Sequence, residues 1–236
     1  MATDYLERGA VAGVAGGLVY GLFVATVGNA FTAGLETFEH SHGGGGPAVS
    51  ELTTAAASVG GGVLWGLLFG VAAFGMAYFF LEPAIPGTGA TKRLVLAGAG
   101  FLTVSGAPWL VLPPQPPGVE QALGTDTRLV WYAGLMALGA LVAVLAGLAY
   151  QRTERRHIAV RLVATALPLA VLAVPVALAP ANPVHGDVPA ALVAAYRWTV
   201  VFGQLLLWTT IAGVHAWLGD SDTAAAEELD YSATAD

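Results

Sequence analysis

The sequence alternates long apolar stretches with short polar connections. Crossing roughly 30 Å of hydrocarbon takes about 20 mostly apolar residues as an α-helix. Six stretches meet that requirement, with approximate bounds 9–35, 55–81, 94–112, 129–150, 159–179 and 196–218. The pattern therefore predicts an all-α membrane bundle of about six transmembrane helices, formed by residues 1–218. We expect the first stretch to stay as an anchor, because the apolar core of a signal peptide has only roughly 7–15 residues.

Composition supports a multi-pass membrane protein in the cell membrane. The chain is 56% hydrophobic and only 11% charged, whereas a soluble domain carries about 25% charged residues. It has no cysteine, which excludes disulfides and thiolate metal sites. Nine lysines and arginines are too few and too dispersed for a nucleic-acid surface. Residues 219–236 are polar and acidic, and we expect a disordered cytoplasmic tail there.

The basic residues predict the orientation in the membrane. In a six-span arrangement most of them fall at helix ends on one side, which the positive-inside rule makes cytoplasmic. These are Arg8, Lys92, Arg93, Arg152, Arg155, Arg156 and Arg161. Only Arg128 and Arg197 fall on the other side. Both termini are therefore expected in the cytoplasm.

Glycines repeat every fourth residue in the first two apolar stretches. They are Gly9, Gly13, Gly17 and Gly21, followed by Gly62, Gly66 and Gly70. Small residues at this spacing let helix backbones approach closely in lipid. We expect these two helices to pack tightly, with each other or with a partner.

The candidate chemistry lies where the first apolar stretch ends. Glu36, Glu39 and His40 are three and four residues apart, on one face of a helix, and His42 follows. The last outer loop adds His185 and Asp187. Carboxylates and imidazoles without thiols suit hard or borderline divalent cations, so we predict a metal-capture site from these six residues. The alternative is an ordinary polar helix end with solvated loops.

Other polar residues have two interpretations each. Asn29 and Gln204 either line a path or hold helices together by hydrogen bonds. Two arginines lie at outer helix ends: Arg128 near Tyr132, and Arg197 next to Tyr196. They either form ion pairs with outer carboxylates, such as Glu36 or Asp187, or extend to lipid headgroups. For both arginines we favour a structural role. His215 and Trp217 are interpreted as anchors at the membrane interface.

Several motifs are missing. No Asp or Glu occupies the middle of an apolar stretch, which argues against coupling through a buried carboxylate. The sequence contains no Walker A motif, no Gly-x-Ser-x-Gly and no His-Glu-x-x-His. We therefore predict that the chain is not an enzyme.

A family resemblance follows from the outer loops and the last apolar stretch. The first motif is Pro113-Pro-Gln-Pro-Pro117, followed by Arg128 and Tyr132. The second is the segment 182–189, followed by Tyr196-Arg197, Gln204 and Trp208. The third is the helix end with Glu36, Glu39 and His40. Over about residues 5–218 the chain resembles the CbtA family of predicted cobalt transporter subunits. That family is commonly described with about five spans, so the number of spans stays open.

The resemblance implies a permease component that imports cobalt for cobalamin synthesis. It also implies a small single-span partner of the CbtB type, which carries its own His motif. Our leading hypothesis is a permease subunit that passes a divalent transition cation, Co²⁺, inward without a permanently bound cofactor. Assembly of the chain into a homo-oligomer is left open as a further arrangement. The alternative hypothesis is a non-transporting scaffold or regulatory subunit of a membrane complex.

Overall fold

The structure is a computed structural model that describes residues 2–39, 50–116, 120–185 and 188–234. The α-helices there are α1 (Ala2–Phe23), α2 (Asn29–Glu39), α3 (Glu51–Phe69), α4 (Tyr78–Leu81), α5 (Gly89–Phe101), α6 (Ala107–Trp109), α7 (Thr125–Arg152), α8 (Ile158–Ala166), α9 (Ala173–Leu178) and α10 (Ala190–Thr234). Three π-helical segments join α1 to α2, α3 to α4 and α5 to α6: Val24–Gly28, Gly70–Ala77 and Leu102–Gly106. Two 3₁₀ segments, Glu82–Ala84 and Leu167–Leu172, follow α4 and join α8 to α9.

These elements form six continuous helical units, which we call spans 1 to 6. They are α1–α2, α3–α4, α5–α6, α7, α8–α9 and α10. Within the described chain, five are long and apolar enough to cross a membrane: Ala2–Gly34, Glu51–Ala84, Thr125–Arg152, Ile158–Leu178 and Ala190–Ser221. The predicted helical membrane bundle is confirmed.

Span 3 is not among these five, and Lys92 and Arg93 lie in its first turns. Near its start Arg93 Nη1 lies 3.8 Å from Asp220 Oδ1. Just after its end, Gln115 Oε1 accepts a hydrogen bond from Arg197 Nη2 at 3.0 Å. The α5 portion of span 3 therefore packs antiparallel against span 6. The sixth crossing and the orientation in the membrane stay predictions.

The glycine ladders bring spans 1 and 2 into backbone contact, as the sequence predicts. Gly13 faces Gly66 and Gly17 faces Gly62 in an antiparallel register. A Cβ atom added at Gly17 would lie 2.5 Å from the carbonyl oxygen of Gly62, closer than carbon and oxygen normally approach. Only glycine permits this contact.

Spans 1, 2, 3 and 6 share the main core, and spans 4 and 5 lie beside it. The core contains Ala12, Phe74, Tyr78, Leu96, Ala97, Leu207, Trp208, Ile211 and Ala212. A smaller cluster of Ala107, Val142 and Leu172 attaches spans 4 and 5 to span 3. Most of the other large apolar side chains face outward, as expected for a protein surrounded by lipid.

Two details differ from the predicted architecture. Two-residue strands, β1 (Glu120–Gln121) and β2 (Val184–His185), pair antiparallel between outer loops. Span 6 also continues as helix to Thr234, through the segment for which we expected disorder. Ala224 to Leu229 reads Ala-Ala-Ala-Glu-Glu-Leu, a run of strong helix formers that favours this continuation.

Candidate functional site

Three of the six predicted metal-capture residues lie at one end of the bundle, which we call the outer end as the sequence predicts. Glu36 and Glu39 belong to the last turns of α2, and His185 belongs to β2. His40, His42 and Asp187 lie outside the described residues. Among the residues that the structure describes, no three His, Asp or Glu side chains form a group that could hold a metal ion. The six-residue site therefore stays a prediction.

The outer loops that carry part of this prediction are tied together. The β1–β2 ladder places the backbone of Glu120 opposite that of His185. Beside it, Asn182 Oδ1 accepts a hydrogen bond from the Leu123 backbone N–H at 3.1 Å, and its Nδ2 donates to Gln121 Oε1 at 3.1 Å. The loop before span 4 and the loop before span 6 therefore form one unit. Glu120 was not predicted to lie here, because a two-residue strand leaves no periodic signal.

Arg197 braces the proline-rich segment after span 3. Its Nε donates to the carbonyl oxygen of Pro114 at 3.3 Å, and its Nη2 bonds Gln115. These contacts are structural, and their partners are a carbonyl and an amide. Pairing of Arg197 with Glu36 or Asp187 stays a prediction, because those two side chains lie outside the part of the chain that the structure describes. Proline has no N–H to compete for that carbonyl within the segment, which leaves the oxygen free for the guanidinium.

Arg128 and Tyr132 also have local structural contacts. Arg128 Nη2 lies 3.3 Å from Thr125 Oγ1, one turn earlier in span 4. Tyr132 Oη donates to the carbonyl oxygen of Val104 at 2.6 Å. Val104 lies in the π-helical segment of span 3, where the ordinary α-helical pairing is interrupted. The Tyr132 hydroxyl therefore satisfies a backbone oxygen within the membrane.

Asn29 lies beside a cavity in the outer half of the bundle. Its Nδ2 donates to Ser58 Oγ at 3.0 Å and its Oδ1 lies 3.2 Å from the same hydroxyl, which joins span 1 to span 2. The cavity has a volume of about 140 Å³ between spans 1 and 6. It is lined by Tyr20, Phe23, Val24, Gly28, Asn29, Phe31, Thr32, Tyr196, Thr199, Val200 and Gly203. Asn29 thus makes the helix-joining hydrogen bond and also lines this cavity, and its role in a transport path stays a prediction.

Gln204 follows the last lining residue of this cavity on span 6. Its side-chain oxygen is buried and accepts no hydrogen bond from the described residues. A buried amide oxygen without a hydrogen-bond donor lowers the stability of the fold. The same oxygen is available to bind a cation. Gln204 is not among the residues that line the cavity, and its path-lining role stays a prediction.

An apolar layer closes the bundle below Gln204. Leu207 and Ile211 are completely buried, and Trp208 is 2% exposed. The Trp208 ring packs against Gly100, leaving no space for a Cβ there, and against Phe69 at 5.1 Å between ring centroids. The outer cavity therefore does not continue toward the cytoplasmic side in this conformation.

Below the apolar layer lies a polar cluster that was not predicted from the sequence. This inner cluster consists of Tyr5, Tyr78, Glu82, Arg93, His215 and Asp220, from spans 1, 2, 3 and 6. Glu82 accepts hydrogen bonds from Tyr5 Oη at 2.6 Å and from Tyr78 Oη at 3.3 Å. The Arg93 guanidinium lies 5.6 Å from the centroid of the Tyr78 ring. These contacts join the inner ends of all four spans.

His215 was interpreted as an interface anchor, and that interpretation is wrong. The side chain is completely buried between Phe74 and Tyr78, with ring centroids 5.6 and 5.2 Å away. The structure places His215 in a row of buried residues four apart along span 6: Gly203, Leu207, Ile211, His215 and Gly219.

This architecture defines a multi-pass helical membrane protein with polar groups above and below a closed apolar layer. Comparison with known families supplies the more specific assignment. The family model described as "Probable cobalt transporter subunit (CbtA)" matches residues 2–220. The chain therefore belongs to the CbtA family. It matches none of the curated proteins and none of the solved structures.

Family membership supports a role in membrane transport and in cobalt transport. The description names a subunit, which implies that the chain works in a complex. It names a transporter and no catalytic activity, in line with the prediction that the chain is not an enzyme.

Proposed function

We propose that the chain imports a divalent transition cation, Co²⁺, for cobalamin synthesis. The observation that carries the proposal is the arrangement between spans 1 and 6. An outer cavity with Asn29, Thr32 and Thr199 in its wall, and a Gln204 oxygen without a donor among the described residues, lie above a closed apolar layer. The inner cluster lies directly beyond that layer. Family membership supports cobalt as the cargo.

In this proposal the ion is captured at the outer end of span 1. Glu36, Glu39, His40 and His42 bind it first, with His185 and Asp187 completing the site from the tied outer loops. Oxygen and imidazole ligands replace part of the hydration shell. Glu36 is seven residues from Asn29, which is about 10 Å along a helix at 1.5 Å per residue. In this proposal the ion therefore moves next from the capture residues to the cavity that Asn29 lines.

Passage then requires the apolar layer and the inner cluster to open. Movement of span 6 would displace Leu207, Trp208 and Ile211 and separate Asp220 from Arg93. The carboxylate of Asp220, released from Arg93, and that of Glu82 would then attract the cation toward the cytoplasm. Inward movement of a divalent ion gains about 4.6 kcal/mol per 100 mV of membrane potential, twice the single-charge value.

A small single-span partner of the CbtB type, bearing a His motif, fits the subunit description. It would deliver the metal to the outer loops or complete the bundle. A homo-oligomer is a second arrangement in which the subunit could work.

The proposal is tested by uptake of radiolabelled Co²⁺ into cells that express Gln204→Leu. Leucine removes the unpaired oxygen at similar volume. Because it replaces a buried polar atom without a partner, it should not destabilise the fold. We expect uptake to fall at least tenfold at equal membrane expression.

Thr209→Val is the matched control, because Thr209 is exposed on the same helix and bonds only backbone oxygens of that helix. Its uptake should equal that of the wild type. Wild-type uptake by Gln204→Leu would remove Gln204 from the path.

A further inference from the structure

Spans 4 and 5 enclose a groove in the cytoplasmic half of the bundle. Its volume is about 450 Å³. Apolar side chains supply most of the wall: Leu145, Leu148, Ala149, Leu167, Pro168 and Val171. Arg152 and Thr153 line its inner end, where span 4 terminates.

The groove exists because proline interrupts span 5. Pro168 lies at the start of the 3₁₀ segment Leu167–Leu172. Proline lacks the N–H of a regular helix and clashes with the preceding turn, so the backbone there departs from α-helical geometry. Leu172 and Val142 share a buried cluster at one end of the groove. Both α8 and the 3₁₀ segment contact span 4, so the groove is an open depression along this helix pair.

A basic loop, residues 152–161, closes the inner end of the groove. It contains four arginines, Arg152, Arg155, Arg156 and Arg161, and one glutamate, Glu154, so its net charge is +3. The Arg161 guanidinium stacks on the Tyr150 ring in a cation–π contact, 3.5 Å from the ring centroid. Thr153 Oγ1 bonds the carbonyl oxygen of Ala149, and His157 Nδ1 accepts from the Ala159 N–H.

The three remaining arginines have no such partner. Arg152, Arg155 and Arg156 are exposed, and their guanidinium groups form no hydrogen bond or ion pair with any residue that the structure describes. Arg152 lines the inner end of the apolar groove, and Arg155 and Arg156 follow it in the connection between spans 4 and 5. An anionic lipid has the complementary arrangement, with negative charge at its headgroup and hydrocarbon below.

The dimensions fit one leaflet. Ten residues separate Val142 from Arg152, about 15 Å along an α-helix. That distance is half of the roughly 30 Å hydrocarbon thickness of a bilayer. On span 4 the groove itself is lined from Leu145 to Arg152, about 10 Å at the headgroup end of that distance.

We propose that this groove and the basic loop bind one anionic phospholipid of the cytoplasmic leaflet. An acyl chain lies along Leu145, Leu148 and Val171, and the phosphate accepts hydrogen bonds from the three arginines. Charge-assisted hydrogen bonds to phosphate are the strongest that arginine makes, and basic pockets between transmembrane helices bind anionic headgroups. An apolar partner helix would fill the groove but leave the three arginines unmatched.

The test is native mass spectrometry of the full chain released from detergent, with dioleoyl phosphatidylglycerol or dioleoyl phosphatidylcholine added. We expect one phosphatidylglycerol to bind at least tenfold more tightly than phosphatidylcholine. The triple variant Arg152→Gln/Arg155→Gln/Arg156→Gln should bind phosphatidylglycerol on the order of 100-fold more weakly, because each arginine near the surface contributes about 1 kcal/mol.

Two further variants separate the groove from general charge. Val171→Trp keeps all arginines but fills the groove, and it should also lose the tightly bound lipid. Lys92→Gln removes a charge from the same membrane side away from the groove, and it should bind as the wild type does. Equal binding of the two lipids by the wild type, or unchanged binding in Val171→Trp, would overturn the proposal. Co-purification of a protein partner that excludes the lipid would also overturn it.

Discussion

The contact between spans 1 and 2 predicts a large difference between two glycines of the same helix. A Cβ atom at Gly66 would lie 2.5 Å from the Cα of Gly17 and 2.6 Å from its nitrogen. Carbon atoms pack at about 3.5–4.0 Å, so Gly66→Ala must separate the helices by about 1 Å. Overpacking of this kind costs about 1–3 kcal/mol.

Gly60 is the matched control because a Cβ there meets nothing within 4 Å. Alanine also has a higher helix propensity than glycine, by about 1 kcal/mol. Gly60→Ala should therefore be as stable as the wild type or up to about 1 kcal/mol more stable. The unfolding free energy in detergent, measured by denaturant titration, distinguishes the variants. Equal stability of Gly66→Ala and Gly60→Ala would refute the close backbone contact.

Two hydrogen bonds within the membrane give further predictions. Tyr132→Phe leaves the carbonyl oxygen of Val104 without its hydrogen-bond donor. The variant should lower the unfolding free energy by about 1–2 kcal/mol. An unchanged unfolding free energy would show that this bond contributes nothing to stability. A double-mutant cycle of Asn29→Ala and Ser58→Ala should give a coupling energy of about 0.5–1.5 kcal/mol, since the two side chains bond each other. A coupling of zero would contradict that pairing.

Hydrophobic patterning was sufficient to predict the bundle. The glycine spacing also predicted which two helices approach most closely, because the requirement for a small residue is local and repeats every turn. The π-helical segments were not predictable. They depend on how Tyr132 and neighbouring helices satisfy interrupted backbone groups, and the sequence of Leu102–Gly106 carries no signal for that.

The inner cluster was missed for a different reason. Tyr5, Glu82, Arg93 and Asp220 are far apart in sequence, and each alone has the character of a residue at a membrane interface. Only the antiparallel packing of four spans brings them together. The burial of His215 likewise follows from the packing of span 6 against its neighbours.

The outer capture site is still a sequence prediction. Its residues come from the end of α2 and from loops, where short polar segments have no periodicity that would position one side chain against another. Arg197 illustrates the difficulty, because its bonds to the Pro114 carbonyl and to Gln115 depend on a loop conformation that spacing does not determine.

The most direct test of cobalt import is radiolabelled Co²⁺ uptake, with and without the small His-bearing partner. Wild type is compared with Glu39→Ala/His40→Ala, and with Asp126→Asn as a control carboxylate on the same outer side. We predict uptake by the wild type and by Asp126→Asn, and background uptake by the double variant at equal membrane expression. Equal uptake by the double variant would contradict capture at this end of span 1. No uptake by the wild type, even with the partner, would contradict cobalt import itself.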